Sequence, residues 1–291
     1  MQRDDRSSTM LITREYGAGG PTVIAIHGGP GAAGSAAPIA RGLADTFHVL
    51  EPWQRGTDAS SGRLTVDQHI ADLHALILSR CGGAQPALVG ESWGAMLALS
   101  FTAAYPKIAG PLVLVGCGTW DKNARAELIN VLEKRINDDP SLRSAIDRLA
   151  KQYCDDPMQQ MARRYELTHH LYDFSPLPEE PDREIPPFDA NAHNETWQDM
   201  LRLQEEGLYP SAFSAIRSPV LMLHGDYDPH PGVSTRDTLR KHVPQLEYVE
   251  LARCGHSPWR ERFARDEFFA VMRQWIHSRC DTHGEPREVQ R

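Results

Sequence analysis

Between Pro86 and Pro106 the chain reads PALVGESWGAMLALSFTAAYP, and its residue types leave little choice of conformation. Ala87-Leu88-Val89 has the length and branching of a short buried strand. Ala95-Met96-Leu97-Ala98-Leu99 consists of strong helix formers. Only Gly90-Glu91-Ser92-Trp93-Gly94 separates them, so the turn must be sharp. Glycine at 90 and 94 fits a turn where side chains at those positions would collide, and Ser92 is expected in a strained backbone conformation. A serine on such a strand-to-helix turn is a nucleophile elbow, its hydroxyl raised above the sheet with helix amides beside it. By composition alone, G-x-S-x-G occurs in roughly one chain in ten of this length. The flanking strand and helix give it its weight.

Other segments repeat the strand-then-loop pattern. Met10-Leu11-Ile12 reads as an edge strand, followed by a glycine turn at 16–20. Pro21 to Ile26 is a strand closed by His27-Gly28-Gly29-Pro30-Gly31, a loop in which backbone amides can approach a ligand unobstructed. No Walker lysine or G-x-G-x-x-G accompanies it, which excludes a phosphate cradle. His27 reads as a residue that orients this loop. Ala36 to Asp45 is a helix, and Phe47 to Leu50 a strand ending in Trp53-Gln54-Arg55-Gly56, where Arg55 is expected to salt-bridge the loop. Val66 to Ser79 carries one apolar helical face, with Asp67, His69, Asp72 and His74 on its solvated sides. Pro111 to Val115, Pro219 to Leu223 and Leu246 to Leu251 are further strands, and a helix from Arg260 to His277 closes the pattern. Strands alternating with helices predict an α/β fold with a mostly parallel central sheet, whose functional groups gather at the carboxyl ends of the strands.

One stretch departs from that rhythm. From Trp120 to about Ser211 the chain is helical and charged, and Ser175 to Pro187 is an irregular crossing rich in proline and acid. The expected organisation is a core of 1–118 and 214–280, a helical lid at 119–213 inserted after the sixth strand, and a polar tail at 281–291.

Composition narrows the function. Hydrophobic residues make up 41% and charged residues 24% of the 291, as in a globular protein with a sizeable core. A formal charge of -8 without a Lys/Arg cluster speaks against nucleic acid as a partner. No run approaches the roughly 18 apolar residues of a membrane span, and Met1 to Ser8 lacks the apolar core of a secretory signal. Five scattered cysteines suit free thiols in a reducing cytoplasm. The expected partner is a small-molecule or short-peptide substrate; nothing in the sequence sets an oligomeric state.

A serine hydroxyl needs a base within reach, and the base needs a carboxylate to fix its tautomer. Among thirteen histidines, His256 in the loop after the final strand is the candidate base. The carboxylate should follow the strand at 220–223. Asp228 lies further out on that turn and is preferred; Asp226 is expected to tie the turn to backbone amides. The order Ser92, Asp228, His256 is one of the known triad orders. The oxyanion donors would be the amides of Gly29 and Trp93.

HGGPG at 27–31, WQRG at 53–56, GESWG at 90–94, GDYD at 225–228 and GHSPW at 255–259 together resemble the prolyl aminopeptidase branch of the α/β-hydrolase superfamily. The resemblance implies an α/β-hydrolase fold, release of an N-terminal residue from a peptide, and neither metal nor cofactor. It further implies lid glutamates that hold the substrate's α-amino group, for which Glu195, Glu205 and Glu206 are the candidates. Where that branch has Asp-Gln-Arg-Gly, this chain has Trp53-Gln54-Arg55-Gly56. Three readings stay open: a small-ester or small-amide hydrolase, an aminopeptidase, and a non-catalytic ligand-binding protein. A buried glutamate pair facing Ser92 would favour the aminopeptidase; an apolar lid lining would favour the esterase.

Overall fold

The computed structural model describes residues 11–57, 62–178, 184–186 and 188–280. The N-terminal residues 1–10, the tail 281–291 and the middle of the proline-rich crossing lie outside the described residues.

Seven strands form one sheet in the order β1-β3-β2-β4-β5-β6-β7. They are β1 (Thr13–Tyr16), β2 (Thr22–Ile26), β3 (His48–Pro52), β4 (Ala87–Glu91), β5 (Leu112–Val115), β6 (Val220–Gly225) and β7 (Leu246–Leu251). All neighbours run parallel except β1, which pairs antiparallel with β3. The edge strand therefore begins three residues later than Met10, although Ile12 still accepts a hydrogen bond from the Trp53 amide at 2.8 Å.

Because strand side chains alternate, each central strand serves two cores. Ile24, Ile26, Leu88, Leu112, Leu114, Val220 and Met222 face α2 (Val66–Arg80) and α3 (Trp93–Ala104). Val23, Ala25, Val89, Val113, Val115, Leu221 and Leu223 face α1 (Ala37–Leu43) and the C-terminal α9 (Arg265–Cys280). Burial on both faces explains the unbroken apolar runs. α3, which carries the elbow, is the most enclosed helix: ten of its twelve residues are buried.

Between β5 and β6 lie α4 (Lys122–Asn137), α5 (Pro140–Gln152), α6 (Pro157–Thr168) and α7 (Ala190–Glu205); α8 (Gly232–Arg240) follows β6. The insertion thus follows the fifth described strand, not the sixth. Each of its four helices starts on an aspartate, Asp121, Asp139, Asp156 or Asp189, whose side chain accepts backbone amides of the first turn. Its own apolar cluster is small, built on Ile136, Leu142 and Ile146.

Two further expectations need correction. His69 and Asp72 are not on a solvated face: His69 is buried with Nε2 3.1 Å from Thr196 Oγ1 of α7, and Asp72 takes the Arg55 guanidinium at 2.7 and 2.8 Å. That second contact is the loop-holding salt bridge expected of Arg55. The closing helix begins at Arg265 rather than Arg260, and Glu261 sits in the preceding turn. Among the described residues, no helix is long and apolar enough to cross a membrane.

Candidate active site

Ser92 directly follows β4 and caps α3 with φ 54° and ψ -114°. Only one other described non-glycine residue, Arg253, has positive φ. A serine held there costs on the order of 1–3 kcal/mol, so the surroundings must enforce it. They do so through a 2.8 Å bond from the Ser92 amide to the Val115 carbonyl and through the flanking glycines. A Cβ on Gly90 would strike the Gly94 carbonyl, and one on Gly94 would strike the Ile26 carbonyl. The obstacle is backbone in both cases, rather than two side chains meeting each other.

The neighbouring loops are locked to this turn. Glu91 is buried, and its Oε1 accepts the Gly28 amide at 2.7 Å and the Ser35 hydroxyl. Trp93 Nε1 donates to Gln54 Oε1 at 2.7 Å, and Gln54 Nε2 donates to the His27 carbonyl at 2.7 Å. His27 Nε2 accepts the Gln54 amide at 2.9 Å, which leaves the proton on Nδ1, beside the Gly28 carbonyl. Burial pushes the His27 pKa down to about 4. A fully enclosed neutral imidazole with both nitrogens engaged orients the loop.

Asp228 and His256 come together from the ends of β6 and β7. Asp228 Oδ2 lies 2.7 Å from His256 Nδ1, and the carboxylate is buried while the imidazole keeps 14% exposure. Since a carboxylate only accepts, Nδ1 donates and Nε2 holds the lone pair. Burial alone would raise the Asp228 pKa, but His256, His230 and His224 around it outweigh that and hold it well below the usual carboxylate range. Burial works against a charged His256, and the Asp228 carboxylate reverses it, so the net shift is upward. Gly116, one residue past the carbonyl that holds the Ser92 amide, lets the ring come this close: a Cβ there would be 2.9 Å from His256 Nδ1. Ser92 and His256 border the same cavity. Asp226 accepts the Cys254 amide at 3.1 Å and does not reach the imidazole, as expected of a turn-tying residue.

The cavity measures about 1330 Å³. Its floor includes Gly29, Ser92, Trp93 and His256; Met161, Tyr165, Tyr172, Phe188 and Trp197 enter it from the insertion. Trp93 is the first residue of α3, where an amide has no intrahelical acceptor. Gly29 borders the cavity at φ 111°.

Glu195, Glu205 and Glu206 are elsewhere. Glu195 accepts the Leu64 amide at 3.1 Å, Glu205 pairs with Lys122 at 3.2 Å, Glu206 pairs with Arg202 at 2.7 Å, and none lines the cavity. Helix α7 turns His193 and Trp197 toward the cavity and Glu195 and Glu205 away from it, and Glu206 follows its last residue. Among the described residues, the carboxylates that border the cavity are Glu91 and Asp173.

Two residues of the site were not singled out by motif. Glu261, fully buried, accepts three backbone amides: Phe174 at 2.6 Å, Ser175 at 2.7 Å and Gly255 at 2.9 Å. It binds the insertion to the loop carrying His256, a junction completed by the His256 amide on the Tyr172 carbonyl at 2.8 Å. His230 stacks on His256 with ring centroids 4.6 Å apart. The spacing Asp228-Pro229-His230 was a signal for the second of these; nothing local marks Glu261.

A sequence profile of the alpha/beta hydrolase fold matches residues 21–262. The chain belongs to the α/β-hydrolase-fold family. None of the curated proteins matches it in sequence. Among solved structures it is similar to a thermophilic esterase from Thermogutta terrifontis, at 20% identity and TM-score 0.59, covering 92% of this chain and 93% of that one. It is also similar to E-2-(acetamidomethylene)succinate hydrolase, at 19% identity and TM-score 0.61, covering 92% and 95%. An N-acyl homoserine lactone degrading enzyme aligns at 18% identity and TM-score 0.56, covering 91% and 96%. At such identities the likeness concerns the fold.

Proposed function

We propose that this protein is a serine hydrolase that cleaves a small ester through an acyl-enzyme. The observation that carries the reading is the buried Asp228–His256 pair at 2.7 Å opening on the same cavity as Ser92, itself held at φ 54°. Ser92 Oγ attacks the carbonyl carbon while His256 Nε2 takes its proton. The tetrahedral oxyanion is held by the amides of Gly29 and Trp93, which cost no reorganisation as charge develops. The C–O bond then breaks, the leaving alcohol receives the proton from His256, and Ser92 carries the acyl group. Water, deprotonated by His256, releases the acid and restores the serine. Asp228 holds the tautomer and stabilises the imidazolium. The helices between β5 and β6 act as a lid that shapes the substrate cavity.

The lining supports an ester over a peptide. Among the described residues, apolar and aromatic side chains dominate the part of the wall supplied by the insertion, Asp173 is its carboxylate there, and the three candidate amine-binding glutamates lie outside. The test is a parallel screen of short-chain and aryl p-nitrophenyl esters beside proline and alanine p-nitroanilides. Turnover of esters is expected; turnover of anilides alone would replace this reading with the aminopeptidase.

A further inference from the structure

Two imidazoles share the Asp228 carboxylate, although the serine relay needs one. His256 Nδ1 lies 2.7 Å from Oδ2 and His230 Nδ1 lies 2.9 Å from Oδ1, with the two rings stacked at an interplanar angle of 20°. Among the described residues, Asp228, His230 and His256 are the one group of three His, Cys, Asp or Glu side chains whose ligand atoms all lie within 4.8 Å of one another. Both histidines border the cavity, which offers an ion a way in. Behind the carboxylate, His224 Nε2 sits 3.3 Å from Oδ2 and 3.0 Å from the His230 carbonyl, so the carboxylate and the turn are braced from the far side.

We propose that Asp228, His230 and His256 form a site for a divalent first-row transition ion, Zn²⁺ foremost, and that the bound ion switches the hydrolase off. One carboxylate with two imidazole nitrogens suits zinc, copper or nickel and is a poor site for magnesium or calcium. Tetrahedral bonds of about 2.0–2.2 Å place neighbouring donor atoms roughly 3.3 Å apart, so each imidazole withdraws about half an ångström from the carboxylate. The fourth position faces the cavity and takes water. The ion uses the Nδ1 lone pairs: the proton each ring now carries there relocates to Nε2 through solvent, with no net protonation change. His256 then presents an N–H to the cavity instead of a lone pair and no longer accepts the Ser92 proton. The switching rests on the hydrolase reading above; the binding does not.

Zn²⁺ titrated into the Ser92→Ala protein in a calorimeter needs no turnover. One ion per chain is expected at this site, and adding His230→Phe, which keeps a stacked ring without a donor, weakens it at least about 10-fold. Adding His256→Gln does the same and decides the matter should His230→Phe fail to fold by circular dichroism. In parallel, wild-type ester hydrolysis falls with Zn²⁺, returns with EDTA and ignores Mg²⁺. The half-inhibiting Zn²⁺ concentration rises at least about 10-fold in His230→Phe, each protein measured against its own metal-free rate. No binding heat, or equal affinity with and without the two histidines, overturns the site. Binding without inhibition overturns the switch. A wild type that hydrolyses no ester sinks the functional reading while the calorimetry still decides the site.

Discussion

The carboxyl edge of the sheet and the helical insertion above it meet at one cavity, yet they are stabilised in different ways. At the sheet edge, position is set by backbone: Ser92 hangs from the Val115 carbonyl, and Gly90, Gly94 and Gly116 leave room only for the observed arrangement. Behind it, α3 is buried along nearly its whole length. The insertion has little core of its own; α4 buries only Ala124 and Ile136 among sixteen residues. Apart from Met200 and Leu203 of α7, which join the core on the α2 and α3 side of the sheet, it is held down by discrete polar ties. Arg135 donates to the Leu171 carbonyl at 2.6 Å and the Tyr227 carbonyl at 2.7 Å, Asp199 accepts the Val66 amide at 2.9 Å, and Glu261 gathers three amides. In the proposed mechanism, chemistry sits where the backbone cannot shift, and the substrate wall sits where a few side-chain bonds decide the fit. Changes at the sheet edge should therefore abolish turnover with the fold intact, and changes in the insertion should trade stability and KM against modest losses in kcat.

The largest effect is expected from Ser92→Ala, which should lower kcat by ~10⁴ to ~10⁶ while leaving the thermal transition in place. Near-wild-type rates would remove Ser92 from the mechanism. Next comes Asp228→Asn, with a loss of ~10³ to ~10⁴ in kcat because the wrong His256 tautomer is favoured. Asp226→Asn keeps an acceptor for the Cys254 amide and should change kcat by less than about threefold, against the ~10⁴ at stake in the relay. The opposite ranking in steady-state kinetics would move the acid to Asp226.

At the junction of the two regions, Glu261→Ala removes the acceptor of one buried and two part-buried amides and should cost about 1–3 kcal/mol in urea unfolding, most of it from the buried Gly255 amide. An unfolding midpoint equal to wild type would show that the insertion is held by other means. The smallest effect is predicted for the double change Glu205→Ala and Glu206→Ala, whose exposed pairs with Lys122 and Arg202 fall in the range of about 0–1 kcal/mol. Ester kcat/KM should stay within about twofold, a difference under 0.6 kcal/mol. A large rise in KM confined to peptide anilides would restore those glutamates to the substrate site.

The same division governs what could be read from the chain before its fold was known. Ser92 and the two residues proposed as relay carboxylate and base, Asp228 and His256, each sit at a strand end beside glycines, and local sterics make such positions readable: Gly90, Ser92 and Gly94 imply their own geometry. Choosing Asp228 over Asp226 followed from reach along one turn, and the fold places only Asp228 on His256. The insertion resists such reading. The sequence places Glu195, Glu205 and Glu206 near the right element, but which face of α7 turns inward depends on packing against α2, where His69 meets Thr196. Glu261 was hidden for a related reason: its three amides come from residues about 86 and 6 positions away, a pattern that exists only after folding. The closing helix also begins late, because Glu261 must leave the helical path to reach them.

Reaction with a fluorophosphonate probe, read by intact mass and peptide mapping, measures the central claim most directly. One adduct per chain on Ser92 is predicted, absent from Ser92→Ala and strongly slowed in His256→Ala. An unlabelled wild type, or an adduct on another residue that persists in Ser92→Ala, would contradict it.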